Sequence, residues 1–324
     1  DKIKDQALGY NRIIDQTYDE VGIFIQDDWK ISKTLSLLGG LRLNKHTALN
    51  NVVFTPRVSL LANLTRELTW RTTFSTGFRA PQVFDEDLHI TQVGGEGMII
   101  VNSPTLKEEN SASFTTGFDF GRQSAQHNLQ LGLEGFYTRL ADTFILHEIS
   151  GAENTRLMER INGSGAKVCG ISAVVGLGFG RKVALNSGWT IQNNLLNEPE
   201  PEFNSKDFFR TPKSYGYASL EYKNERWLNT ELSLEYTGPM KVPHYTGYIL
   251  SDRLETTDPF WVVNLKLNRK VELKSKASIN FLTGIFNLFD SYQKDLDLGA
   301  DRDSGYVYGP SKPRSFYAGL KYSF

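Results

Sequence analysis

The chain has 324 residues, and its 36 Lys and Arg residues nearly balance its 37 Asp and Glu residues, which leaves a formal net charge of -1. This balance gives no electrostatic case for a nucleic-acid partner, because nucleic-acid binding needs a surplus of positive charge. The single cysteine, Cys169, excludes an internal disulfide. No apolar run reaches the roughly 20 residues that a transmembrane helix needs.

Apolar and polar residues alternate with a period of two along most of the chain, which predicts β-strands with different surroundings on their two faces. We predict about thirteen strands and an all-β fold from this pattern. In chain order the strands lie near residues 18–30, 34–45, 52–64, 68–78, 110–120, 128–138, 164–179, 184–195, 212–222, 228–238, 261–269, 277–288 and 313–324. Many are longer than the five or six residues that are typical of globular proteins, and they approach the roughly 9–11 residues of a membrane-spanning strand.

The segment 228–238 shows why the two faces need different surroundings. Leu232 and Leu234 lie on one face of the predicted strand, whereas Glu231 and Glu235 lie on the other. A face that carries such charges cannot be a dry core, because unpaired buried charges are very costly. The polar face is therefore predicted to contact water, and the apolar face is predicted to contact either a second sheet or lipid.

The predicted connections between strands alternate between short and long. Short turns lie near residues 32–33, 65–66, 121–127, 180–182, 223–226 and 270–274. Long connections lie near residues 46–51, 79–109, 141–163, 196–211, 239–259 and 289–311. In an up-and-down barrel such alternation places all the tight turns at one end, as in outer-membrane barrels with short periplasmic turns and long extracellular loops.

Four segments resemble one known family, the TonB-dependent outer-membrane receptors. They are TFSTGFRAPQVFDE (73–86), SPTLKEENSASFTTGFDF (103–120), GIFNLFDSYQ (284–293) and YGPSKPRSFYAGLKYSF (308–324). The resemblance implies a barrel of about 22 strands that is filled by an N-terminal plug domain. It also implies uptake of scarce metal chelates, haem or cobalamin with energy from the TonB protein. The terminal aromatic residue of the family is read by the barrel-assembly machinery, a role that the resemblance transfers to Phe324.

The chain departs from this family because the sequence shows no plug, no TonB-contacting box and no first strands. An open strand edge in hydrocarbon would cost several kcal/mol per unsatisfied backbone group. Bacterial single-chain barrels also have even strand numbers, and the segment 3–14 alternates poorly as a fourteenth strand. We therefore predict that residues 1–324 form a single antiparallel transmembrane β-barrel portion of about 13 to 14 C-terminal strands, incomplete at its N-terminus. A complete 14-stranded channel is the alternative.

Candidate ligand and metal residues lie in three of the long connections. The candidate ligand-binding residues are Asp85, Glu86, His89, His244 and Tyr245. Four aspartates in DLDLGADRDSG are spaced for binding a loop Ca²⁺, although the bidentate Glu of a calcium loop is missing. They are Asp295, Asp297, Asp301 and Asp303. The competing interpretation is that all these side chains belong to solvated or self-packed loops. No other cofactor is predicted.

Three classes of function remain open at this point. The favoured class is a receptor in the outer membrane of a Gram-negative bacterium that imports a ferric siderophore, haem or cobalamin. Its expected partners are outer-membrane lipid, the TonB complex and the barrel-assembly machinery. The alternatives are a passive outer-membrane channel and a soluble all-β binding or carbohydrate-active protein. No catalytic constellation supports an enzyme, and the loop composition does not identify the ligand.

Overall fold

The computed structural model describes residues 2–8, 12–82, 97–152, 155–224, 227–273 and 277–324. These residues contain 21 β-strands and no α-helix. The strands are β1 (Lys2–Ala7), β2 (Arg12–Thr17), β3 (Glu20–Lys30), β4 (Leu35–His46), β5 (Val53–Asn63), β6 (Leu68–Arg79), β7 (Gly97–Asn102), β8 (Glu109–Gln123), β9 (His127–Ala141), β10 (Phe144–Ala152), β11 (Thr155–Asn162), β12 (Ala166–Phe179), β13 (Val183–Glu200), β14 (Ser205–Asp207), β15 (Ser214–Tyr222), β16 (Asn229–Thr237), β17 (Lys241–His244), β18 (Arg253–Thr256), β19 (Phe260–Glu272), β20 (Ser278–Phe286) and β21 (Ser315–Ser323). None of the described segments is a helix long and apolar enough to cross a membrane.

One large antiparallel sheet contains a strand for each of the thirteen segments that the alternation predicts. Its order is β3-β4-β5-β6-β8-β9-β12-β13-β15-β16-β19-β20-β21, and β14 adds a short pairing to β13. Within the described residues, β3 and β21 form the two open edges of this sheet. Strands β1 and β2 pair only with each other there, so the segment 3–14 adds no strand to the large sheet. A total of about 22 strands in a closed barrel stays a prediction.

The strand register places apolar side chains next to apolar side chains across the sheet. One row of direct cross-strand partners consists of Leu177, Leu185, Leu220, Leu232, Leu265 and Ile285. The neighbouring row on the opposite face pairs Glu221 with Glu231 and Glu231 with Lys266. Lys266 Nζ lies 3.0 Å from Glu231 Oε2, so the polar face contains an ion pair between neighbouring strands. The predicted division into an apolar and a polar face is confirmed.

Side chains of the apolar face remain exposed over much of the sheet. Ile171, Leu133 and Leu320 are 58%, 52% and 67% exposed. The buried apolar clusters of the described residues instead lie near the long connections, around Leu49 and Val53 in one cluster and around Met240, Val242 and Tyr306 in another. No second sheet in the described part of the chain covers the apolar face. The geometry therefore does not support the two-sheet sandwich of a soluble protein.

The predicted asymmetry between the two ends of the sheet is also confirmed. The short connections are 31–34, 64–67, 124–126, 180–182, 223–228 and 273–277. The connections at the other end are 47–52, 80–108, 142–165, 201–213, 238–259 and 287–314, and all of them except 47–52, which is as long as 223–228, are longer than any short connection. The small sheets β10-β11-β7 and β17-β18 belong to the long connections, which gives that end of the sheet its own secondary structure.

Asn287 fastens both ends of the connection 287–314. Its backbone has a φ of 51°, and its side chain is 4% exposed. The side-chain amide donates hydrogen bonds to the carbonyls of Ser291 and Lys312 at 2.8 and 3.0 Å, and its oxygen accepts one from the Ser291 amide at 2.8 Å. The Asn287 amide itself donates to Asn264 Oδ1 at 2.9 Å. The NLFD motif and the segment before the terminal strand are thus one structural unit.

Replacing Asn287 by Ala should destabilise the folded chain by about 1–3 kcal/mol, because three partly buried hydrogen bonds are lost and Ala disfavours positive φ. Denaturant unfolding in detergent measures this loss. Asn287→Gly is the control, because it keeps the backbone conformation and loses only the hydrogen bonds. Wild-type stability in both variants would contradict the assigned role.

Candidate functional site

Three long connections contact each other at one end of the sheet, and together they are called the loop cluster (201–213, 238–259 and 287–314). Arg210 adopts a φ of 54°, and its amide donates a 2.7 Å hydrogen bond to the carbonyl of Lys241. The Arg210 guanidinium donates to the carbonyl of Gly305 at 2.5 Å. Arg210, in the connection 201–213, therefore hydrogen-bonds to both of the other connections, 238–259 and 287–314.

His244, a predicted ligand residue, is buried within the loop cluster. Its side chain is 4% exposed, and Nε2 lies 3.0 Å from Asp297 Oδ2. The His244 ring stacks on Tyr306 with ring centroids 3.6 Å apart. The Nδ1 atom lies 3.8 Å from Glu255 Oε1. In this structure His244 joins two connections rather than facing an open site.

The predicted calcium aspartates divide between two local networks. Asp297 Oδ2 also accepts a 3.0 Å hydrogen bond from the Asp303 amide, and Asp303 accepts from the amides of Tyr245 and Gly305 at 3.0 and 2.7 Å. Asp301 is exposed. Among the described residues, no group of three or more His, Cys, Asp or Glu side chains is arranged to hold a metal ion. Calcium binding stays a prediction.

Asp295 accepts hydrogen bonds from two tyrosine hydroxyls. Tyr306 and Tyr308 donate to its two oxygens at 2.8 and 2.6 Å. Burial and then these bonds raise the pKa of both tyrosines above the ordinary value. Burial alone would favour neutral Asp295, but the Tyr308 and Tyr306 hydroxyls hold its pKa below the ordinary value. The network therefore keeps Asp295 charged and both tyrosines protonated.

Tyr245 connects the loop cluster to the small sheet β10-β11-β7. Its hydroxyl donates to Glu202 at 3.2 Å, and Glu202 lies 3.9 Å from Arg156, which in turn lies 2.7 Å from Glu148. Burial raises the pKa of Glu202 although Arg156 opposes the shift. Burial raises the pKa of Tyr245 as well, together with the nearby charge of Glu202. Tyr245 thus helps to fix the loops against one another.

A cavity of about 750 Å³ lies between the loop cluster and the large sheet. Its lining includes Tyr215, Tyr217, Glu235, Phe260, Arg210 and Tyr308. The register places Tyr217 opposite Glu235, on the polar face. The volume falls in the range of about 300–1,000 Å³ that is usual for small-molecule sites, and aromatic walls with few charged groups are typical of such sites.

The cavity residues on strands β15, β16 and β19 were not predicted as site residues from the sequence. The sequence did contain an indication of this cavity. Tyr215 and Tyr217 lie at polar-face positions of the predicted strand 212–222, where side chains that contact only water are not expected to be aromatic. Of the predicted residues, Asp85, Glu86 and His89 lie outside the described residues. Phe324 follows β21 and is 102% exposed.

A long antiparallel sheet with an exposed apolar face, a charged opposite face and short turns at one end defines an outer-membrane β-barrel. Residues 3–288 match the family described as TonB dependent receptor-like, beta-barrel. The chain belongs to this family, whose members are receptors rather than enzymes, and it is an outer-membrane protein.

Relatives and solved structures agree with this assignment. The chain is 29% identical over 312 residues to an iron-regulated outer membrane virulence protein of Vibrio cholerae serotype O1. The aligned region covers 93% of this chain and 44% of the relative. The siderophore receptor PirA from Acinetobacter baumannii matches with a TM-score of 0.70 at 16% identity, over 95% of this chain and 46% of PirA. A variant of the ferric enterobactin receptor PfeA from Pseudomonas aeruginosa, in complex with enterobactin, matches with a TM-score of 0.69 at 19% identity, over 96% and 46% of the two chains. The chain thus spans less than half the length of these proteins.

Proposed function

We propose that this chain forms the C-terminal barrel portion of an outer-membrane receptor that captures a ferric siderophore and imports it with energy from TonB. The observation that carries the proposal is the aromatic cavity between the loop cluster and the polar face. The names of the relatives favour a ferric siderophore over haem or cobalamin. In this proposal the long connections face the cell exterior and capture the ligand.

The two faces of the large sheet have different roles in this proposal. The apolar face contacts lipid hydrocarbon, and the polar face lines the lumen through which the ligand passes. Arg71 on that face lies 2.9 Å from Asp119 and 3.1 Å from Glu134, which keeps the charges of the wall paired across strands. TonB acts on the plug domain that the family resemblance implies, and plug rearrangement opens the lumen.

Uptake by a deletion strain tests the proposal. The strain should lose uptake of one iron-labelled siderophore and keep the uptake of haem and cobalamin. The complemented strain should lose the same uptake when TonB is removed. Equal uptake of every nutrient in wild-type and deletion strains would contradict the receptor assignment in a strain without a redundant receptor. Uptake that persists without TonB would favour a passive channel.

The cavity makes a separate prediction for ligand binding. Replacing Tyr217 by Ala removes an aromatic wall and should weaken siderophore binding about tenfold. Tyr222→Ala is the matched control, because Tyr222 belongs to the same strand but lies at the short-connection end. Fluorescence titration of the purified receptor measures both affinities. Equal affinities in the two variants would remove the cavity from the capture site.

We also propose that Phe324 is the signal for barrel assembly. The side chain is fully accessible, as a recognition signal requires. Phe324→Ala should lower the fraction of receptor that is inserted into the outer membrane and leave synthesis unchanged. Phe316→Ala, which removes an exposed aromatic side chain from the preceding strand β21, is the control. Pulse-labelling followed by membrane fractionation measures insertion, and normal insertion of Phe324→Ala would contradict the role.

A further inference from the structure

We propose that Arg139 and Lys167 form a binding site for the phosphate of an anionic lipid headgroup. The site lies on the apolar face at the long-connection end of strands β9 and β12. This inference rests on the proposed contact between the apolar face and lipid, but it adds a specific ligand class on the face of the sheet opposite to the proposed siderophore cavity.

The strand register brings the two cations together. Arg139 and Lys167 are direct cross-strand partners, and the next pair on the same face is Tyr137 with Cys169. Both residues lie at the ends of their strands that are farthest from the short connections 124–126 and 180–182. Direct partners on one face have Cβ atoms about 4.5–5.5 Å apart, so one small anion can contact both side chains.

The local electrostatics favour an anion from outside the chain. Both side chains are exposed, and like charges directly opposite each other on a sheet are destabilising. On the next strands, the direct partner of Arg139 is Ala112 and the direct partner of Lys167 is Leu195, and both of these residues are apolar. Within the described residues neither cation has an ion pair or a side-chain hydrogen bond. The nearest acid along this row, Asp207 beyond Leu195, is already paired with Lys213 at 3.1 Å.

The depth of the pair matches the headgroup region. Leu129, Leu131, Leu133 and Tyr137 precede Arg139 on the same face. At the usual strand tilt these positions span about 20 Å along the barrel axis, close to the roughly 25 Å apolar band of such barrels. The pair therefore lies where the band ends and lipid phosphates begin. Arg binds phosphate through a planar fork and Lys binds it as a point charge, so the pair is suited to this group.

The test uses the full-length receptor in detergent and measures lipid binding by native mass spectrometry. The probe is lipid A carrying two phosphates, and the comparison probe is the same lipid with its phosphates removed. The double variant R139Q/K167Q should bind the phosphorylated lipid about ten- to thirtyfold more weakly than wild type. The matched control R181Q/K182Q removes the same charge from the short connection 180–182, where both side chains are exposed, and should bind like wild type.

Each alternative outcome overturns the proposal in a different way. Equal losses in both double variants would show general attraction between cations and headgroups. Undiminished binding by R139Q/K167Q would remove the site altogether. Equally tight binding of the lipid without phosphates would show that the acyl chains alone are recognised. Inorganic phosphate that binds the pair as tightly as the lipid would identify a free-anion site. Siderophore binding by R139Q/K167Q, measured in the same preparation, should be unchanged and shows separately whether the receptor function itself is intact.

Discussion

Replacing Leu232 by Arg is expected to destabilise the folded barrel by about 2–4 kcal/mol, the cost of an arginine on the lipid face near the bilayer midplane. Leu232 lies near the middle of β16, and its direct partners are Leu220 and Leu265. The guanidinium would be surrounded by hydrocarbon and by these two leucines, with no acid among its direct partners. We expect a large decrease in the amount of receptor that is assembled in the outer membrane.

The neighbouring substitution Ser233→Arg is the matched control. Ser233 lies on the opposite face of the same strand, where it accepts a hydrogen bond from Asn264 at 3.3 Å. An arginine at this position would face water and would lie between Glu231 and Glu235 on the polar face. We expect near-normal assembly, measured as heat-modifiable receptor in outer-membrane fractions. Equal defects in the two variants, or a larger defect for Ser233→Arg, would contradict the assignment of the faces.

Replacing Asp297 by Ala is expected to open the loop cluster. The Asp297 side chain is 1% exposed and accepts hydrogen bonds from His244 Nε2 and from the Asp303 amide. Its removal leaves both buried donors without this acceptor, which costs about 3 kcal/mol or more in the stability of the cluster. Amide hydrogen exchange in 238–259 and 287–314 should become about a hundredfold faster, whereas exchange in the large sheet should not change.

Asp301→Ala is the control for this experiment. Asp301 belongs to the same acidic segment but is exposed, so its replacement should change the stability by less than about 0.5 kcal/mol. Calcium binding by the four aspartates predicts a different pattern. In that case both substitutions would weaken the loops, and a chelator would reproduce their effect in the wild-type receptor. Exchange rates with and without chelator therefore distinguish a loop cluster held by the hydrogen bonds of Asp297 from a calcium site.

The strands and their faces could be predicted because each depends on local alternation. Segment 228–238 alternates between Leu228, Leu232, Leu234 and Tyr236 on one face and polar residues on the other, and the structure confirms the strand Asn229–Thr237 with Leu232 and Leu234 on one face. The alternation of connection lengths was also predictable, because the period is lost near most strand ends, although the strand predicted at 184–195 extends over Val183–Glu200. The four family motifs predicted the family to which the chain belongs, and the match over residues 3–288 confirms that family.

The loop cluster could not be predicted because its contacts join distant residues without a periodic pattern. His244 and Asp297 are 53 positions apart, and the sequence alone assigned one to ligand binding and the other to calcium. Strand β7 pairs in parallel with β11, although these segments belong to different long connections. The cavity was not predicted for a related reason. Tyr215 and Tyr217 line a cavity only because residues of the loop cluster, such as Arg210 and Tyr308, lie over the polar face.

Accessibility along β16 tests the contact between the apolar face and lipid most directly. Single cysteines at positions 230–236, introduced into a Cys169→Ser background and labelled with a nitroxide, report collisions with oxygen and with a water-soluble nickel complex in reconstituted bilayers. We predict that the labels at positions 230, 232, 234 and 236 collide with oxygen, and that those at 231, 233 and 235 collide with nickel. Nickel accessibility at the even positions equal to that at the odd positions would contradict a membrane-embedded barrel wall.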